Sequence, residues 1–220
     1  MVVPEAGLEI SGSILKGISQ DWLNANKPAD GSTFYIKVEV SESITELGDG
    51  YGGFRLGTGY DLQMDFSQAS KLKEINNQAF MYATALRGEL DLSGTQVSVI
   101  GKSAFNGCTG LTGVILPETL KALGSDSSGS VFRGCTGLQY VRTENGDPNA
   151  LFELPSGLEI IGRQCFAEAF SEDSPIDIVI PQSVTTVGNE AFDTEGIRYI
   201  VVQCTDLTNY GSDAFRSPDS

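Results

Sequence analysis

The feature that most limits what this chain can become is a phrase that it repeats. Phe105-Asn-Gly-Cys-Thr-Gly-Leu111 returns as Phe132-Arg-Gly-Cys-Thr-Gly-Leu138, with six matched positions at a spacing of 27 residues. Anchoring on the aromatic extends the pattern to Phe54, Phe80, Phe105, Phe132, Phe166, Phe192 and Phe215, at intervals of 26, 25, 27, 34, 26 and 23 residues. A period of this length marks a solenoid. One unit cannot bury its apolar side alone, whereas stacked units bury it continuously. In such a stack each phenylalanine rests on its counterparts, and the chain carries an aromatic spine.

The rest of the unit follows from the anchor. Ala79, Ala104, Cys165, Ala191 and Ala214 precede their phenylalanines. Apolar anchors stand five residues before (Ile75, Ile100, Ile161, Val187, Tyr210) and eight before (Leu72, Val97, Leu158, Val184, Leu207). Gly101, Gly162, Gly188 and Gly211 follow the nearer anchor, and Leu120, Leu123 and Gly124 fill these places in the Phe132 unit. Glycine is abundant, 26 of 220 residues, and its fixed placement predicts recurring turns rather than disorder.

Upstream of each phrase lies a β-type run: Phe34–Val40, Tyr60–Phe66, Glu89–Leu92, Val114–Pro117, Leu151–Pro155, Ile176–Pro181 and Tyr199–Val202. Several alternate apolar with polar, as a strand with one buried face does. Pro117, Pro155 and Pro181 close their strands, because proline has no N–H to continue a ladder. The least obvious copy is the first: Ser41-Glu-Ser-Ile44-Thr-Glu-Leu47-Gly48 aligns without a gap on Pro181-Gln-Ser-Val184-Thr-Thr-Val187-Gly188. The array therefore starts near residue 34. Residues 1–33 are expected to form a capping segment, and 34–220 one continuous domain of about seven coils. Leu8–Gly12 echoes Leu90–Gly94, Ile18–Ala25 reads as a short amphipathic helix, and Trp22 falls twelve residues after Ile10, as Phe192 does after Ile180. Trp22 is thus expected to be the aromatic of a capping coil. At the other end, Phe215-Arg-Ser-Pro-Asp-Ser220 has no evident cap, which suggests a longer array cut here.

Charge and composition narrow the function. Fourteen basic against twenty-nine acidic residues give a net charge of -15, which argues against nucleic acid and anionic membranes as partners. There is no histidine, and with it go Ser-His-Asp and Cys-His nucleophile systems, histidine-ligated metals and imidazole proton shuttles. No apolar run is long enough to insert in a membrane. The amino terminus has neither a basic nor an apolar leader region, so the protein is intracellular or a leader has been removed. Of the four cysteines, Cys108 and Cys135 share one slot of the repeat and Cys165 takes the alanine slot before Phe166. Such core slots favour free, buried thiols. A Cys108–Cys135 bridge is the alternative, since neighbouring coils bring equivalent positions together.

With its strand ending in Ile-Pro and the sequence Ile178-Val-Ile-Pro-Gln-Ser-Val-Thr-Thr-Val-Gly-Asn-Glu-Ala-Phe192, completed by Phe105-Asn-Gly-Cys-Thr-Gly-Leu111, the unit resembles the BspA-like leucine-rich repeats of bacterial surface proteins. Leu111-x-x-Val114-x-Leu116 also fits the general Leu-x-x-Leu-x-Leu core. The resemblance covers about residues 34–215. It implies a right-handed leucine-rich-repeat solenoid, β-rich with short helical turns. It also implies a protein at the cell surface or secreted, and, in some members, adhesion to host matrix proteins or to other bacteria.

If the pleat is taken literally, Val114 and Leu116 point inward, and Gly113 and Ile115 outward. The equivalent outward positions are Glu89 and Asp91, Tyr140 and Arg142, Asp177 and Val179, and Tyr199 and Val201. Apolar and aromatic residues on the outer face of a solenoid sheet mark an interaction surface; the competing explanation is strand propensity alone. Two insertions interrupt the period, Gly124–Ser130 and Arg142–Ala150, and inserted loops carry either binding or nothing. Glu144, Asn145, Asp147 and Asn149 offer oxygens to calcium, but their spacing departs from the EF-hand loop; Glu172 and Asp173 are a weaker pair. The expected function is non-catalytic binding of a protein partner (host matrix or bacterial surface) or of a glycan. Neither a cofactor nor a metal is called for, and nothing in the sequence sets an oligomeric state. The rivals are a structural stalk segment and a glycan hydrolase using a carboxylate pair such as Glu89 and Asp91.

Overall fold

The computed structural model describes residues 1–125, 127–170 and 175–215; Asp126 of the first insertion and the Glu172–Asp173 pair lie outside them. The chain opens with an antiparallel hairpin, β1 (Leu8–Ser11) and β2 (Ile14–Ile18), and a helix, α1 (Gln20–Asn26). Long and two-residue strands then alternate: β3 (Phe34–Glu39), β4 (Glu46–Leu47), β5 (Tyr60–Asp65), β6 (Glu74–Ile75), β7 (Gly88–Asp91), β8 (Val99–Ile100), β9 (Leu111–Leu116), β10 (Ala122–Leu123), β11 (Tyr140–Thr143), β12 (Ile160–Ile161), β13 (Ile176–Ile180), β14 (Thr186–Val187), β15 (Ile197–Val202) and β16 (Asn209–Tyr210). The result is a β-solenoid of about seven turns, as the repeat predicts.

Each turn has three sides. The long strands form the first, with inner residues such as Ile36, Val38, Leu62, Leu90, Val114 and Ile178 buried. The two-residue strands form the second, a nine-stranded sheet in the order β1-β2-β4-β6-β8-β10-β12-β14-β16 that is parallel from β2 onward. The third side is the aromatic turn. Two residues before every spine phenylalanine the backbone takes a positive φ, at Gly52, Gln78, Ser103, Ser130, Gln164, Glu190 and Asp213. This is a conformation L-residues otherwise avoid. It turns alternate amides toward the next coil. Ser103 donates to the Gly129 carbonyl (2.7 Å), Phe105 to Val131 (3.0 Å) and Gly107 to Arg133 (2.8 Å), while Ala104 and Asn106 fold back on their own coil. Gly107 and Gly134, the glycines of Phe-x-Gly, have positive φ for the same reason, and Tyr82 and Glu168 adopt it there without a glycine.

The spine is continuous. From Phe54 to Phe215, successive rings lie 4.6–6.1 Å apart with planes within 16° of parallel. All but Phe215 are fully buried. The four cysteines are free, and Cys108, Cys135 and Cys165 are buried. The Cys108 and Cys135 thiols donate to the carbonyls of Phe80 (3.1 Å) and Phe105 (3.2 Å) one coil below.

Five expectations are corrected. Gly101 and Gly162 are not turn-formers: a Cβ on Gly101 would meet the Asn77 nitrogen at 2.6 Å and one on Gly162 the Leu123 carbonyl at 2.7 Å. They are glycines because the coil beneath approaches too closely for any side chain. Leu8–Ser11 is no coil strand but one leg of the hairpin, with Gly12 at its turn (φ 62°). Trp22 consequently does not join the spine. It stacks on Phe34, 5.8 Å away, and α1 buries Leu23 instead. Leu151–Pro155 is not a regular strand; the long strand of its coil is β11, and Phe152 only bridges to Val141 beside it. Tyr210, taken as a buried anchor, is 70% exposed on the outermost short strand described.

Candidate strand-face binding surface

The outward residues of the long strands stand in rows set by the parallel register. Tyr35, Lys37 and Glu39 on β3 face Asp61, Gln63 and Asp65 on β5. Glu89 and Asp91 on β7 face Gly113 and Ile115 on β9, which face Tyr140 and Arg142 on β11. Asp177 and Val179 on β13 face Tyr199 and Val201 on β15. The predicted line is therefore real in register but not one surface. The long strands fall into three sheets, β3-β5, β7-β9-β11 and β13-β15. The predicted site residues occupy two of them, separated by the second insertion and the Phe152 segment.

The first patch is organised by an absence. Gly113 has no side chain, and the Tyr140 ring lies across that gap, where a Cβ would collide with it. The phenol thereby crosses β9 and donates to Glu89 Oε2 on β7 (2.6 Å). Burial, and the Glu89 carboxylate accepting its proton, push the Tyr140 pKa up. Arg142 stacks over the same ring, 4.1 Å from its centroid. Its guanidinium donates to the Pro148 carbonyl and reaches Glu89 Oε2 at 3.5 Å. Asp91 and Ile115 extend the patch along the next row.

The second patch holds an ion pair that counting the pleat misses. Register slips by one between Ile176 and Asp177, so Arg198 is an extra residue on β15. A bulge re-aims a side chain in this way, and Arg198 donates twice to the Asp177 carboxylate, both bonds 2.8 Å. That pairing holds Asp177 below the usual carboxylate range. Tyr199 and Val201 are exposed, 65% and 51%, and Val179 is half-buried.

The second insertion is tied to the face. Glu144 accepts from the amides of Gly94 (3.1 Å) and Glu118 (3.2 Å), clamping the turns after β7 and β9. Asp147 accepts from its neighbour Asn149 (2.8 Å). Glu144 and Asp147 are two of the four residues offered to calcium, and backbone amides already engage both Glu144 oxygens and Asp147 Oδ1. Among the described residues no three histidine, cysteine, aspartate or glutamate side chains gather in a metal-holding group. No helix among them is long and apolar enough to cross a membrane. On β3, Lys37 pairs with Asp65 (2.6 Å) and Glu39 (3.4 Å). Lys37 first, and then Ser67, depress the Asp65 pKa to about 2. Lys37 and Arg198 were not singled out in the sequence, and Glu144 was singled out there only as a calcium candidate. Lys37 was legible as the outward residue between Ile36 and Val38, whereas the other two depend on a bulge and on a fold-back.

Coils of one long strand, one two-residue strand and one aromatic turn, stacked on a phenylalanine spine, define a leucine-rich-repeat solenoid. The sequence pattern of the BspA type leucine rich repeat region matches residues 73–220 in six copies, and the chain belongs to that family. Among solved structures, a leucine rich cell surface protein from Faecalibacterium prausnitzii A2-165 is similar over 93% of this chain and 47% of its own length, with 20% identity and a TM-score of 0.58. The chain thus spans about half the length of that protein. A leucine-rich repeat protein from Bacteroides ovatus ATCC 8483 aligns over 99% of this chain and 72% of its own, with 14% identity and a TM-score of 0.41. No curated protein matches.

Proposed function

We propose that this chain is a non-catalytic protein-binding module of a bacterial surface or secreted protein, serving adhesion through its strand face. The observation that carries the reading is the Glu89–Tyr140–Arg142 cluster. A tyrosine and an arginine, the residue types that dominate binding hot spots, are held in place before any partner arrives, so little side-chain freedom is lost on binding. Ile115 supplies an apolar neighbour in the same patch. The surface location is supported by the family and by the Faecalibacterium prausnitzii neighbour, which is a cell surface protein. Glycan remains the alternative ligand class for the same face. The test is capture from host-matrix and bacterial-surface extracts by the wild-type chain and by a form with Tyr140, Val179, Tyr199 and Val201 changed to serine. The reading expects capture by the wild type and its loss in the variant. Equal capture by both would dismiss it.

A further inference from the structure

The ladder of long strands breaks between β11 and β13, where Phe152 pairs with Val141, and between β5 and β7, where the two long strands themselves meet. β5 and β7 share a single bridge, Leu62↔Leu86, made by Leu62 N–H to the Ala85 carbonyl (2.8 Å) and Arg87 N–H to the Leu62 carbonyl (3.1 Å). In a parallel ladder the next residue of β5 on that side, Met64, would donate to the Arg87 carbonyl and accept from Glu89 N–H. Neither bond is made. The cause is local. Gly88 has a positive φ of 81°, and the β7–β9 register slips by one between Gly88 and Glu89, leaving Thr112 unpaired in register. β7 follows β9 and splays from β5. Between them lies an open groove of about 600 Å³, lined on one side by residues 63–67 and on the other by Arg87, Gly88, Glu89, Asp91 and Ser93, with Lys37 at its edge.

Unmade main-chain bonds on two strand edges are a template for a further strand. The charges around the groove choose its sign. Lys37, Arg87 and Arg142 stand against Glu39, Asp61, Asp65, Glu89 and Asp91. Lys37 is spent on Asp65 and Glu39, and Arg87 lies 3.8 Å from Asp61. Asp91 makes no ion pair among the described residues, and its Oδ1 only accepts from Ser93 N–H (2.9 Å). We propose that the β5–β7 notch binds an extended, lysine- or arginine-bearing peptide segment, which joins the open edges at Met64 and Glu89 by main-chain hydrogen bonds and sets a cationic side chain on Asp91. The inference rests on the protein-binding reading and names its partner class. It also places the site beside the Tyr140 patch, since Glu89 belongs to both.

The test uses the whole chain and three capped eight-residue probes. One alternates lysine with threonine, one alternates glutamate with threonine, and the third is the lysine peptide with alternate amides N-methylated, prepared in both registers. Fluorescence anisotropy of the labelled peptides measures binding. The proposal expects the lysine peptide to bind, the glutamate peptide to fail, and each N-methylated register, which blanks the amides facing one of the two edges, to bind on the order of tenfold more weakly or worse, equivalent to about 1.4 kcal/mol. Met64→Pro should abolish binding, because it deletes the edge N–H while the β3 side of the strand is unaffected. Asp91→Asn, which leaves the edge intact, should weaken it with an unchanged melting temperature. No binding of the lysine peptide, equal binding of both N-methylated registers and the parent, or unchanged binding by both Met64→Pro and Asp91→Asn would each overturn the notch. Capture from extracts that still depends on Tyr140 would, in that event, leave the broader strand-face reading standing.

Discussion

The aromatic side and the long-strand side of this solenoid are built from the same repeats yet obey different rules. On the aromatic side the coils from Phe80 to Phe192 are alike. The rings stack without interruption from Phe54 to Phe215, and amides two apart donate to the next coil. On the strand side the ladder divides into three sheets, a bulge re-aims Arg198, and one notch leaves strand edges unpaired. Regularity maintains the stack, and departures from it create surface chemistry. The difference also explains why a repeat can tolerate an insertion. The 34-residue interval between Phe132 and Phe166 is absorbed on the strand side by Glu144 and the Phe152 bridge, while Phe132 and Phe166 remain stacked at 5.5 Å.

Substitutions that act on one side only break this comparison most sharply. Phe105→Ala removes a ring clasped between Phe80 and Phe132 and should cost about 3–5 kcal/mol, seen as a lowered urea midpoint. Tyr140→Ala, on the strand side, should cost about 1 kcal/mol or less. Comparable losses would mean that the two sides share the load. Alkali tests the same side differently. Burial raises the Cys135 thiol from its ordinary 9.0 to about 12 and raises Cys108 and Cys165 in the same direction. The unfolded chain therefore loses these protons first. Stability is retained below pH 9 and falls as pH rises toward 12. Cys135→Ala should flatten that fall in a pH series of urea midpoints, and an unchanged slope would count against the buried thiol.

Two glycines separate the sides at finer scale. Gly188→Ala drives a Cβ into the backbone of Arg163 in the coil below, which cannot yield, and should cost about 1–3 kcal/mol. Gly113→Ala meets only the Tyr140 side chain. It should cost less than about 1 kcal/mol in melting experiments while dislodging the ring from Glu89. The smallest effect is expected of Tyr140→Phe, which deletes one exposed hydrogen bond worth about 0.5 kcal/mol, the low end for such bonds.

What was legible in the sequence divides along the same line. The period located the spine and the long strands because every coil carries the same apolar residues for the same physical reason. The two-residue strands were visible only as the apolar-Gly pair of Ile100-Gly101 and its copies, and the close approach that demands those glycines is a property of the stack. Which residues of the long strands point outward was legible, since outward residues alternate. Its division was not legible. The slip at Asp177, the bulge facing Gly88 and the Tyr140 ring over Gly113 depend on how neighbouring coils meet. Residues 1–33 misled because Leu8–Gly12 echoes the pattern of Leu90–Gly94, while Gly12 turns the strand back on itself.

Native-state hydrogen exchange, resolved by residue, tests the central claim most directly. Amides of Phe80, Phe105, Phe132 and Phe166, each donating to the next coil, should exchange only on global unfolding. Amides of Met64 and Glu89, on the open edges, should exchange at rates near those of an unprotected chain. Equal protection of Met64 and Phe105 would contradict both the division of the two sides and the notch between β5 and β7.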